Sequence, residues 1–123
     1  YIEEWDEPMI SGILWFSELV QIAGGVDVFS DKSKNIDAKS RILEPEEVIK
    51  ANPDVIIASW CGKKVRKEKI AARRNWKSIP AVKNDLIFEI KLPLILQPGP
   101  AALGPGLDQI CWILDSARDR LRG

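Results

Sequence analysis

The amino-acid sequence predicts an α/β domain: a three-layer sandwich in which a mainly parallel sheet is flanked by helices. Three observations carry this expectation. Short apolar runs alternate with helical patterns along the chain, as they do in parallel-sheet folds. The stretch Asp54-Val55-Ile56-Ile57-Ala58-Ser59 holds four β-compatible apolar residues in a row, the mark of a strand covered on both faces. A clear helix start, Glu44-Pro45-Glu46-Glu47, lies just ahead of that strand. A chain of 123 residues suits one compact domain.

Taken in order, residues 1–5 read as a strand that ends at Trp5-Asp6. Glu7-Pro8 breaks the chain and leads into a helix over 10–23, whose apolar residues cover more than one narrow stripe and so predict deep packing. Gly24-Gly25 stops that helix, because glycine takes the left-handed cap conformation at little cost. Residues 26–40 are polar and irregular, a long surface connection with room for one helical turn, and Arg41-Ile42-Leu43 is a very short extended piece. Proline at the first helical position and two glutamates at the positive end of the dipole open the next helix, and Asn52-Pro53 closes it before the strand at 54–59. Residues 64–72 are weakly helical and charged. Leu86-Ile87-Phe88-Glu89-Ile90 is a further strand. Residues 101–121 form the closing helix, interrupted near Gly104-Pro105-Gly106, with Leu107, Ile110, Cys111 and Leu114 on its core face and a fraying charged tail over 118–123.

Composition narrows the function. Eighteen basic and eighteen acidic residues cancel, which argues against a nucleic-acid footprint. The basic run over 63–69 and the pair Arg73-Arg74 read as a solvated helix face. The chain has no histidine, which removes Ser-His-Asp and Cys-His catalysis and the commonest zinc ligand. Cys61 and Cys111 match no metal or redox spacing, so neither a resident metal nor a cofactor is expected. There is no Gly-x-Gly-x-x-Gly and no phosphate-cradling loop. No apolar run reaches the ~18 residues of a membrane span.

What remains is the carboxyl edge of the sheet, where open α/β folds bind ligands. Three connections follow predicted strands: Glu4-Trp5-Asp6-Glu7, then Ser59-Trp60-Cys61-Gly62-Lys63, then Lys91-Leu92-Pro93. Two tryptophans with charged neighbours suit a large flat ligand with polar groups at its rim. Trp5, Asp6, Trp60, Gly62, Lys63 and Lys91 are therefore candidate contacts, and Cys61 is a small lining residue among them. Trp5 and Trp60 are expected on one edge, both partly exposed.

The sequence also resembles the C-terminal lobe of the helical-backbone substrate-binding proteins of ABC importers, the group that captures cobalamin, haem and iron-siderophores. The matching features run almost end to end. They are Trp5-Asp6-Glu7-Pro8, then Glu18-Leu19-Val20-Gln21-Ile22-Ala23-Gly24-Gly25, then Glu46-Glu47-Val48-Ile49-Lys50-Ala51-Asn52-Pro53-Asp54-Val55-Ile56-Ile57, and Trp76 with Ile79-Pro80-Ala81-Val82. Ser59-Trp60-Cys61-Gly62 and Leu96-Gln97-Pro98-Gly99-Pro100 look most like the cobalamin-binding members. The resemblance implies a two-lobed periplasmic or otherwise extracytoplasmic protein, membrane-associated in its parent form. Its ligand would lie in a cleft between lobes joined by a long helix, and each lobe would dock on one permease subunit. Glu46, with Glu47 beside it, matches the lobe-tip glutamate that pairs with permease arginines. The connection before this helix, Asp37-Ala38-Lys39-Ser40, lacks the aromatic contact the family tends to carry there, which leaves the ligand open.

On this reading the N-terminal lobe and linking helix are absent and residues 1–123 form a single lobe. The function expected is non-enzymatic capture of a metal chelate, cobalamin ahead of iron-siderophore or haem, with a homodimer through the cleft face supplying a second wall. The alternative is a stand-alone α/β interaction or dimerisation module with no small-molecule ligand. An enzyme using Asp6 or Glu7 ranks below both.

Overall fold

A computed structural model describes residues 1–35, 37–60, 63–90 and 106–122. Among these residues five strands, β1 (Ile2–Asp6), β2 (Met9–Ser11), β3 (Ile42–Leu43), β4 (Ile56–Ala58) and β5 (Ile87–Glu89), form one sheet in the order β3-β2-β1-β4-β5. Among the described residues six α-helices accompany them: α1 (Leu14–Ile22), α2 (Ser30–Ser33), α3 (Pro45–Ala51), α4 (Lys67–Ala71), α5 (Pro80–Lys83) and α6 (Leu107–Arg122). The expected α/β layering is present. β1 pairs with β4, and β4 with β5, in parallel. β1–β2 and β2–β3 are antiparallel, so the sheet is half parallel and β1, not β4, is its central strand.

The core divides by strand alternation, since successive side chains of a strand point to opposite faces. In β4, Ile56 and Ala58 enter a cluster with Val48, Ile70, Trp76 and Ile79 on one face. Ile57 points the other way, into a cluster with Phe16, Leu19, Ile110 and Ile113. The first cluster packs α3, α4 and α5 on the sheet, and the second packs α1 and α6. All three residues of β4 are buried, as an apolar run covered on both faces requires.

The helix expected over 10–23 is instead a strand followed by a shorter helix. Met9 and Ile10 pair with β1 on one side and β3 on the other, so their backbone groups serve sheet ladders rather than a helix. Glu7-Pro8, a cis peptide, sits in the turn between β1 and β2. Gly12 follows β2 and donates its amide to the Ile2 carbonyl at 3.1 Å. A Cβ there would lie 2.6 Å from Ile2 Cγ2, so the close approach requires glycine. The far end of α1 is as expected. Gly24 N–H donates to Gln21 and Gly25 N–H to Val20, with Gly24 at φ +92°, a Schellman termination.

α3 is closed at its start by a reciprocal capping box. Glu47 accepts the Glu44 amide at 2.8 Å, and the Glu44 side chain accepts the Glu47 amide. Left-handed Asn52 ends it. α6 buries Ile110, Ile113, Leu114 and Ala117 at helical spacing, leaving Cys111 half-buried at the margin of that face. The tail does not fray as expected. The helix runs to Arg122, and Arg118 donates to the Gly24 carbonyl at 2.8 Å and pairs with Asp115.

Gly12→Ala is expected to lower stability by about 1–3 kcal/mol, the cost typical of overpacking. Urea denaturation checks this, and a variant matching the parent's midpoint would refute the close approach at Ile2.

Candidate functional site

β1, β4 and β5 are mutually parallel, and β3, two antiparallel steps from β1, runs with them. The carboxyl ends of β1, β3, β4 and β5 therefore lie on one edge of the sheet. This edge carries Trp5 and Asp6, the start of α3 with Glu46 and Glu47, and Trp60 with Lys63. Cys61, Gly62 and Lys91 lie outside the described residues.

The foundation of this edge is a buried carboxylate. Glu3, in the middle of the central strand, has no solvent exposure. Its Oε1 accepts from Tyr1 Oη at 2.8 Å and Arg73 Nη1 at 2.6 Å. Its Oε2 accepts from Trp60 Nε1 at 2.8 Å and Arg73 Nη2 at 3.0 Å. The bidentate guanidinium supplies the opposite charge that a buried carboxylate needs, and four donors meet its acceptor capacity. Burial raises the Tyr1 hydroxyl well above its ordinary pKa, reinforced by the charge and hydrogen bond of Glu3 against the opposing Arg73, so Tyr1 stays a donor. Arg73 also lies 4.6 Å over the buried Trp76 ring.

A second pair braces the same strand from the next residue. Glu4 accepts the Ile13 amide at 2.6 Å, at the entrance to α1, and binds Arg41 at 3.0 Å. Arg41 donates in turn to the Ser11 carbonyl of β2 at 2.7 Å.

Trp60 is consequently not the partly exposed contact expected. It is 3% exposed, fixed by Glu3, and belongs to the core. The hydrogen bond spans 57 positions of sequence, so no local pattern announces it. Glu3 and Arg73 are the residues that sequence reasoning missed. The available signal was a carboxylate at an inward position of a strand, between Tyr1 and Trp5. Trp5 is half-buried, with its indole N–H on the Glu7 carbonyl at 3.1 Å.

Lys63 joins the candidates. Its Nζ lies 2.7 Å from Asp6 Oδ1, 4.4 Å from the Trp5 ring centre and 5.0 Å from that of Trp60. The Asp6 side chain is 4% exposed and that of Lys63 42%, so the lysine is the more solvent-accessible partner of the pair. Burial pushes the Asp6 carboxyl up. The Lys63 hydrogen bond, the residue's own backbone amide and the charges of Lys63 and Lys69 outweigh it and hold the group below its ordinary 3.8. The segment after Lys63 is tied down where Val65 donates its amide to Glu89, at the end of β5, at 2.9 Å.

A groove of about 860 Å³ continues from Asp6 and Glu7 past Leu43 to Glu46, with Lys69 and Arg74 also in its lining. Glu46 is exposed and has no intramolecular partner among the described residues, whereas Glu47 is engaged in the capping box. A smaller cavity of about 430 Å³ lies at the opposite edge, among the residues that lead into β1 and β4.

Aromatic and charged groups are gathered at the carboxyl edge of the sheet, the edge at which open α/β folds bind ligands. The chain belongs to the periplasmic binding protein family, whose model matches residues 1–93. The family consists of extracytoplasmic transport proteins rather than enzymes. No curated protein sequence matches the chain. Among solved structures, the fold is similar to the periplasmic vitamin B12 binding protein BtuF of Vibrio cholerae, with a TM-score of 0.71 and 24% identity over 95% of this chain and 44% of that one. It is also similar to an ABC-type Fe3+-hydroxamate transport system protein from Saccharomonospora viridis, with a TM-score of 0.69 and 20% identity over 92% of this chain and 40% of that one. The chain thus spans less than half the length of either. Among the described residues no helix is long and apolar enough to cross a membrane.

Two outcomes test the charge arrangement. Glu3→Gln leaves Arg73 facing a neutral group, and a loss of roughly 3 kcal/mol is expected, within the range for breaking a buried pair. Adding Arg73→Met should recover part of that loss in a denaturation double-mutant cycle. Because the folded pKa of Asp6 is depressed, its stabilisation is full above the unfolded value and disappears as pH falls through the folded one. The stability gap between the parent and Asp6→Asn should therefore be constant above about pH 5 and narrow below 3.8.

Proposed function

We propose that this chain is one ligand-facing lobe of a binding protein that captures a metal chelate for an ABC importer. A corrinoid such as cobalamin is the first candidate and a ferric hydroxamate the second. The observation that carries this reading is the cluster of Trp5, Asp6 and Lys63 over the anchored Trp60, at the edge where α/β lobes receive ligands. Trp5 offers a half-buried aromatic face, and Lys63 offers donors beside it. The likeness to a vitamin B12 binding protein and to a ferric hydroxamate transport protein supports the same ligand classes. Cys61, Gly62 and Lys91 complete the ligand wall in this reading.

Glu46 is the docking residue toward the permease. Its carboxylate is exposed at the start of α3 and free of intramolecular ties among the described residues, while Glu47 holds the cap that fixes this helix start. Glu46 lines the groove that begins at Asp6, so in this reading ligand and permease are met from one side of the lobe.

A single lobe supplies one wall of a cleft. A second copy facing it through the Trp5 edge would supply the other, and sedimentation equilibrium at micromolar concentration is expected to show a dimer that Trp5→Ala weakens. Ligand capture is tested by titrating cyanocobalamin and a ferric trihydroxamate against tryptophan fluorescence. The titration uses this chain and the full reading frame that encodes it. Saturable quenching by one of the two is expected, with Trp5→Ala weakening it by roughly tenfold, the loss of ~1.4 kcal/mol. No saturable response to either chelate in the full protein would overturn the reading.

A further inference from the structure

Lys63 has a geometry that ligand stacking alone does not require. Three groups hold its ammonium: the Asp6 carboxylate at 2.7 Å and the faces of Trp5 and Trp60 at 4.4 and 5.0 Å. Each of the three is itself fixed. Trp60 is clamped by Glu3, Trp5 is held through Glu7, and Asp6 is buried at the end of the central strand. The chain beyond Lys63 is fastened at Val65 by Glu89. A flexible lysine has thus been given a defined position, which removes most of the entropy cost of using it in recognition.

An ammonium has three N–H donors, and Asp6 Oδ1 lies 2.7 Å from this one as its ion-pair partner. With its side chain 42% exposed, Lys63 is the accessible partner of the pair, and an ammonium can donate to more than one acceptor. Its counter-charge is the nearly inaccessible Asp6 carboxylate. An approaching ligand therefore meets the positive end of the pair first. A group that lies on the open part of Trp5 comes directly beside that charge.

We propose that Lys63 is a specificity-determining residue that selects ligands bearing an oxyanion at the rim, a carboxylate, phosphate or hydroxamate oxygen, over otherwise equal neutral ones. The inference rests on the metal-chelate reading and deepens it by naming the ligand's charge. Asp6 acts as a positioning residue: it holds the ammonium over Trp5 and stays out of contact with the ligand. A charge-assisted hydrogen bond to a fixed ammonium makes a preference of about 10–100-fold the expected scale.

The test uses paired probes of one shape, cyanocobalamin and its monocarboxylic acids, in which a single peripheral amide has become a carboxylate. For the full-length protein, at least one monocarboxylic acid is expected to bind about tenfold tighter than cyanocobalamin. Lys63→Met should abolish that preference, bringing the monocarboxylic acid and cyanocobalamin to equal affinity, and Lys63→Arg should retain it. A parent without the preference, or a Lys63→Met variant that keeps it, overturns the inference and leaves the chelate reading standing.

A second measurement needs no chelate. Iodide and acrylamide quench exposed indoles, but only iodide is drawn by a positive charge. Lys63→Met should reduce iodide quenching of Trp5, isolated by difference against Trp5→Phe, relative to acrylamide quenching. If neither corrinoid binds, the corrinoid assignment fails, and the iodide comparison still decides whether Lys63 presents an anion-attracting site. Equal iodide quenching in the parent and Lys63→Met would overturn it.

Discussion

The burial of Glu3 is the constraint on which the rest of this lobe depends. A carboxylate with no exposure in the middle of a central strand is tolerable only when charge and hydrogen bonds are both met. Meeting them draws in Arg73 from beyond α4, Trp60 from beyond β4 and Tyr1 from the start of β1. These donors lie on three separate parts of the chain, so one side chain fixes how the α4 region sits on the sheet. Arg73, read from sequence as part of a solvated basic face, is the principal counter-charge. The interaction also locks the indole of Trp60, and through it the floor beneath Lys63.

The make-up of the carboxyl edge follows from this arrangement together with the mixed topology. β2 turns back beside β1, which lets β3 run parallel to β1 and deliver α3 to the same edge as Trp5 and Lys63. In a wholly parallel sheet the same neighbours would need longer crossovers. The short β1–β2 turn brings Asp6 and Glu7 next to the start of α3. Trp5, Asp6 and Lys63 and the exposed Glu46 therefore share one frame. The Glu4–Arg41–Ser11 bridge braces that frame, joining β1 to β2 and to the residues just before β3.

What the sequence disclosed depended on how local the governing physics was. The buried β4 run, the capped start of α3 and the Gly24-Gly25 stop are set by residues within a few positions of one another, and all three appear where expected. β2 was hidden because Ile10, Ile13 and Leu14 have helical spacing, while the two flanking ladders that claim Ile10 are tertiary. Trp60 was placed correctly in the chain and wrongly in depth, because its partner is remote in sequence. The grouping of Trp5, Asp6 and Lys63 was legible for a simpler reason. Residues just past parallel strands must emerge together, whatever their side chains then do.

The two-residue β3 has a consequence for the molecule among its copies. It forms one border of the sheet, and a sheet border is a template on which foreign strands can add. Here that template lasts for two residues before Glu44 and Pro45 end it, and Pro45 brings no amide hydrogen to continue a ladder. The helical turn over Ala38–Arg41 closes its other end. This flank of the sheet is thus guarded against strand addition by the brevity of β3, by Pro45 and by the helical turn together.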